Sequence, residues 1–125
     1  MLSDDGNAYL MRRTSPAIVY VLSSSGDLIR TLKIEPASHG QLPQHGGMQL
    51  NGDRIAIAFS LRCSAGVCEG TNFTVANAKT GEKIADYDDG SVSGIFACYT
   101  ASPERFTFLA VDDDNKLNRI EAAAH

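Results

Sequence analysis

The sequence predicts an all-β protein made of short antiparallel hairpins whose sheets pack face to face, and three observations predict it. Runs of β-branched and aromatic residues recur along the chain, each bounded by Gly, Asp, Asn, Ser or Pro. Four of the connections between these runs are only a few residues long and have turn composition. Several runs are apolar at every position, as in Ile55-Ala56-Ile57-Ala58-Phe59 and Ile18-Val19-Tyr20-Val21-Leu22. A strand of that kind needs cover on both faces, whereas one with a wet face would alternate.

Taken in order, Ala8 to Arg12 is a weak strand, followed by Ala17 to Ser23 and Leu28 to Ile34 around the turn Ser24-Ser25-Gly26-Asp27. Gly47 to Leu50, also weak, is turned by Asn51-Gly52-Asp53 into Arg54 to Ser60. Asn72 to Asn77 and Lys83 to Tyr87 flank Lys79-Thr80-Gly81-Glu82. Gly94 to Tyr99 meets Phe106 to Val111 through Ser102-Pro103-Glu104, and Lys116 to Ile120 closes the series. Each turn supplies Gly for positive φ or Pro for fixed φ, which is what closes a hairpin. The remaining stretches are long loops: Arg13 to Pro16, Ala37 to Gly46, Leu61 to Thr71, Asp88 to Ser93 and Asp112 to Asn115. Glu121-Ala122-Ala123-Ala124 is the only helical hint and is too short to stand alone, while His125 reads as a remnant of an expression tag.

At 125 residues the chain has the size of a single domain, 1–125. Its 43% hydrophobic and 21% charged residues are those of a globular protein rather than a disordered one. The net charge of -4 provides no basic stripe for a phosphate backbone, so nucleic acid is not an expected partner. No apolar run reaches the roughly 18 residues of a membrane helix, and Met1 to Gly6 is acidic where a signal peptide is basic and then apolar. Cys63 and Cys68 flank Ser64-Ala65-Gly66-Val67, a loop that a disulfide can close. A bridge there would place the protein outside the cytoplasm with an N-terminus further upstream; two free thiols would fit a cytoplasmic one.

An internal repeat appears when Ile18 to Ile34 is laid over Phe73 to Asp89 with Gly26 on Gly81, which puts Ile18 on Phe73 and Ile29 on Ile84. Phe73-Thr74 recurs as Phe106-Thr107 and Lys83-Ile84 as Lys116-Leu117, at a different spacing, so the repeating unit is the hairpin. Stacked hairpin sheets are found in propeller blades and in the two layers of a sandwich. Phe73 through Ile84, with its Thr80-Gly81 turn, resembles the outer hairpin of bacterial quinoprotein-like and YVTN β-propellers, and Ile18 to Leu32, with Gly26-Asp27, resembles that of NHL-like propellers. Phe96-Ala97-Cys98-Tyr99 through Phe106-Thr107-Phe108-Leu109 is similar to uncharacterised bacterial propeller-like chains.

That resemblance implies antiparallel four-stranded blades, two and a half to three of them: a partial one at 8–34, a full one at 47–87 and an incomplete one at 94–120. It departs from the tryptophan-aspartate subclass, since Trp is absent, and falls short of the usual minimum of about four blades. The chain is then expected to be the C-terminal part of a longer propeller or to associate with copies of itself through exposed blade edges. The resemblance also puts the long loops on one face and the tight turns on the other, and long loops over a rigid scaffold are where binding usually resides.

The residues on that long-loop face are His39, Gln41, His45, Asp88, Asp89, Asp112, Asp113 and Asp114. His39 and His45 would share a metal only if Asp88 or Asp89 completed the set, and solvated loop imidazoles are the expected reading. Asp86, Asp88 and Asp89, like Asp112 to Asp114, lack the spacing of a calcium loop and have the composition of hairpin turns. Cys63 and Cys68 have no further pair to complete a thiolate metal site, and Cys98 sits in an apolar run as a core residue. Asn72-Phe73-Thr74 fits a glycosylation sequon. No nucleophile elbow, phosphate-cradling Gly loop or His-Glu-Xaa-Xaa-His motif is present. The expected function is therefore a non-catalytic binding or structural module with no cofactor, taking a protein, glycan or small ligand on the long-loop face. The rival is a propeller lyase or hydrolase with a metal-assisted site of loop His and Asp residues.

Overall fold

The computed structural model describes the backbone of residues 2–3, 5–36, 40–61, 63–64, 67–68, 70–89, 92–102, 105–112 and 116–123. At 40–41, 45–46, 63–64, 67–68 and from Asp89 onward the description is of backbone alone, apart from Lys116, Leu117 and Arg119. The strands are β1 (Ala8–Arg12), β2 (Ala17–Leu22), β3 (Leu28–Ile34), β4 (Gly40–Asn51), β5 (Arg54–Leu61), β6 (Cys63–Ser64), β7 (Val67–Cys68), β8 (Thr71–Asn77), β9 (Lys83–Asp89), β10 (Val92–Ser102), β11 (Arg105–Asp112) and β12 (Leu117–Ala123). Every pairing is antiparallel. They form an N-terminal sheet β1-β2-β3, a central sheet β4-β5-β8-β9, a C-terminal sheet β10-β11-β12 and the short ladder β6-β7. The protein is all-β, with no helix among the described residues.

The register decides which side chains meet. Tyr9 stands opposite Val21, Met11 opposite Val19, Val19 opposite Leu32 and Ala17 opposite Ile34, so these residues share one face of the N-terminal sheet. That face packs on Ile55, Ile57, Phe59, Ala76 and Ala78 of the central sheet and its turn, with Met48 and Leu50 at the margin. Fully burying a side chain of this size contributes about 1.5–3 kcal/mol. The opposite face of the central sheet, carrying Ala56, Ala58, Phe73, Val75 and Ala85, is buried as well. β10 runs beside β4 and β12 beside β9, so the C-terminal sheet meets the central sheet along both of its edges.

Two-sided cover, expected for both apolar runs, holds for β5, which is buried at all but Arg54 and Ser60. For β2 it holds on one face only. Val19 and Val21 are fully buried, while Ile18, Tyr20 and Leu22 are half-buried beside the exposed Leu10 and Ile29.

Three loop or helix assignments are corrected by the structure. The stretch 40–46, expected as part of a loop, belongs to β4, which pairs with β5 across two register shifts, between Gly40 and Pro43 and between Pro43 and Met48. Gly and Pro made the segment read as a loop; the shifts accommodate both without ending the pairing. A Cβ on Gly47 would come within 2.9 Å of the Gln44 carbonyl oxygen and 3.1 Å of that of Ala58, so only Gly fits at that bend. Within Leu61 to Thr71 the chain forms β6 and β7 rather than an open loop. The last correction is at 121–123, which is strand: Ala122 and Ala123 pair with Phe106 and Arg105, so an open strand edge outweighs the helical propensity of alanine.

The overlay of the two hairpins is one residue out on its first strand. Gly26 and Gly81 both have positive φ, at 88° and 78°. Gly26 N–H, however, donates to Ser23 O, three residues back, while Gly81 N–H donates to Asn77 O, four back. The second turn holds one more residue, so Ile29 matches Ile84 but Ile18 matches Asn72 rather than Phe73.

Candidate binding surfaces at the two ends of the sheets

The strands run antiparallel, so each sheet has a tight-turn end and a loop end. Of the residues expected on the loop face, Gln41 and His45 lie within β4, Asp88 and Asp89 within β9, and Asp112 ends β11 opposite Val92. They are strand positions, not loop positions. His39, Asp113 and Asp114 lie outside the described residues. β4 and β9 are the two outer strands of the central sheet with β5 and β8 between them. Three strand spacings of about 4.8 Å put those strands roughly 14 Å apart. The sheet therefore separates Gln41 and His45 from Asp88 and Asp89 instead of joining them. Among the described residues no group of three His, Cys, Asp or Glu could hold a metal ion.

Asp88, itself exposed, has a different part, in a partly buried polar network that the sequence did not disclose. Asn72 is fully buried and stands opposite Asp88. Its Nδ2 donates to Asp88 Oδ1 at 2.6 Å, and its Oδ1 accepts from the Thr74 hydroxyl at 2.6 Å. Nearby, Gln44 Nε2 donates to the hydroxyl of the buried Thr71 at 2.8 Å. The triplet that reads as a sequon thus belongs to the interior: in the folded protein the Asn72 amide is enclosed and already bonded, leaving no room for a glycan. Alternation on β8 is the signal for this. Asn72 and Thr74 fall on the same side as Ala76, which the core uses, and polar residues at core positions need partners.

At the tight-turn end a notch of ≈ 250 Å³ opens between the N-terminal and central sheets. Ser3, Asp5, Tyr9, Arg30, Asp53 and Lys79 line it. The turn at Gly52 and Asp53, whose flanking Asn51 and Arg54 pair directly, brings Asp53 there; the positive φ of 58° at Gly52 makes that turn possible. The Asn77 side chain accepts from the Lys79 and Thr80 backbone N–H groups at 2.8 and 3.2 Å, shaping the turn that carries Lys79. Tyr9, 4% exposed, donates its hydroxyl to Ala78 O at 3.4 Å and lies 3.5 Å from Arg30 Nη1. Asp5 accepts from the Ser3 hydroxyl and from Asn7 backbone and side-chain N–H groups. The Ser3 hydroxyl first, and the Asn7 backbone second, hold its carboxyl below the usual carboxylate range.

The notch therefore sets two cations and two carboxylates around a phenol and an apolar floor, an arrangement that suits a small ligand bearing both charges. Sequence reasoning passed over all of these residues because they border the short turns, where the loops are smallest. The signal was the charge next to each turn glycine: Asp53 after Gly52 and Lys79 before Gly81.

No protein-family model matches the chain, and no curated protein matches it. No helix among the described residues is long and apolar enough to cross a membrane.

Proposed function

We propose that this chain is a non-catalytic binding module of β-propeller type, its three sheets acting as consecutive blades, with a small zwitterionic ligand held in the notch between the first two. The observation that supports it is the convergence of Arg30, Lys79, Asp5, Asp53 and the Tyr9 hydroxyl on one opening between stacked sheets. A binding site at the seam of two rigid layers needs little ordering on association, which favours affinity for small molecules.

The loop end is the second reading, favoured by the polar network around Asn72 and Thr71 and by His45, Gln41, Asp89 and Asp112 at strand ends and edges. A protein or glycan would be the partner on that surface, and copies of the chain would be a partner through exposed strand edges.

Amide chemical-shift mapping separates these readings. The labelled protein is titrated with free α-amino acids, and separately with acetate and with ethylamine as single-charge probes. Shifts at Gly52, Asp53, Lys79 and Gly81 with the amino acids, several-fold weaker with either single-charge probe and lost in Arg30→Ala, support the notch. Shifts confined to Gln44, Thr71 and Asp88 move the site to the loop end, and no shift at either place removes small-molecule binding.

A further inference from the structure

β5, β6, β7 and β8 form one hairpin, because a single register runs through all of them. Arg54 pairs with Asn77 and each step toward the tip advances one strand and retreats the other by one residue, down to Ser60 with Thr71. The same count continues through the Leu61 N–H donated to Gly70 O at 3.3 Å, then to Cys63 opposite Cys68 and Ser64 opposite Val67. No residue is gained or lost anywhere along it. Two of the three cysteines therefore occupy directly opposed positions of one ladder, on a shared face. Cα atoms of opposed antiparallel residues lie about 4.5–5.5 Å apart, inside the roughly 4.4–6.8 Å that a disulfide spans. Cys98 is placed otherwise: its partner in register is Phe108.

We infer that Cys63 and Cys68 are a redox pair that closes to an intramolecular disulfide and pins the tip of this hairpin. With a low-molecular-weight disulfide as oxidant, one cysteine thiolate attacks an oxidant sulfur and expels one oxidant thiol. The second cysteine thiolate then attacks the protein sulfur of that mixed disulfide and expels the other. Two protein thiols are oxidised to one disulfide, and one oxidant disulfide is reduced to two thiols. The register sets the second cysteine directly opposite the first, so ring closure competes well against a second oxidant molecule. The backbone next to the bridge, at Leu61 and Gly70, loses its freedom to open when the tip is closed.

The test uses the whole protein equilibrated with excess oxidised glutathione, then denatured, alkylated and digested with trypsin. Cleavage after Arg62 and Lys79 leaves both cysteines in one peptide. That peptide is expected without alkyl groups and lighter by two hydrogens than its reduced form. Two alkyl groups, two glutathiones, or a link between copies would overturn the pairing. In Cys68→Ser the remaining Cys63 should instead retain glutathione as a mixed disulfide; its complete alkylation would count against the pathway. Native hydrogen exchange supplies the structural readout. The Leu61 amide should exchange about tenfold more slowly in the oxidised than in the reduced protein, and equal rates would place the bridge outside the native hairpin.

Discussion

At the scale of single residues, the decisive groups are polar ones at positions that the strand alternation assigns to the interior. Asn72 connects Asp88 and Thr74 from a site with no exposure. Asn72→Ala strips two partners at once and should destabilise by about 1–3 kcal/mol, read from denaturant unfolding. Asn72→Asp should act differently, because it sets a second carboxylate against Asp88. One of the two carboxyls must then ionise at a raised pKa. Since the folded form prefers the protonated acid, the damage is smaller at low pH and grows as pH rises through that raised value. A destabilisation independent of pH would show that Asp88 is not held against residue 72. Asp5 has the opposite sign. Its depressed pKa, set by the Ser3 hydroxyl, gives a contribution that is complete above the ordinary Asp range and is lost as pH falls through the lowered value. A carboxyl-carbon titration should find Asp5 below a typical exposed Asp, and Ser3→Ala should return it toward the ordinary value.

At the scale of elements, turn glycines are told apart by what surrounds them. Gly26 and Gly81 share a left-handed φ, but a Cβ at Gly26 meets nothing within 4 Å, while one at Gly81 comes within 3.1 Å of Lys33 O and 3.6 Å of Leu32 Cβ. Gly26→Ala should cost about 1–2 kcal/mol for backbone strain alone. Gly81→Ala adds a clash with β3 and should cost measurably more; equal losses would mean that this turn does not seat against the N-terminal sheet. The same pair shows what was legible in the sequence. Turn chemistry located β2, β3, β5, β8 and β9 to within a few residues, because Gly and Asn at fixed places leave the chain few options. It failed at β4, where Gly40, Pro43 and Gly47 fall inside a strand interrupted by two register shifts. It failed again at Cys63 to Cys68, where a run without alternation hides a continuing ladder. The notch residues were each visible, but their meeting depends on how two sheets stack, which no local pattern encodes.

At the scale of the whole molecule, the N-terminal and central sheets share one core and should behave as one cooperative unit. Phe59, fully buried, faces β2 across that core. Phe59→Ala should cost about 3–5 kcal/mol and should speed native hydrogen exchange in β2 as much as in β5. Acceleration confined to β5 would show that the layers unfold separately. The order of the strands within the sheets also has a consequence in time. Within each sheet, spatial order is chain order, β1-β2-β3, then β4-β5-β8-β9, then β10-β11-β12. Every ladder closes between neighbours in sequence, so no strand waits for a distant partner before it can pair. On the ribosome each sheet can form as soon as its own strands have emerged, and only the stacking of one finished sheet on the next depends on what is synthesised later.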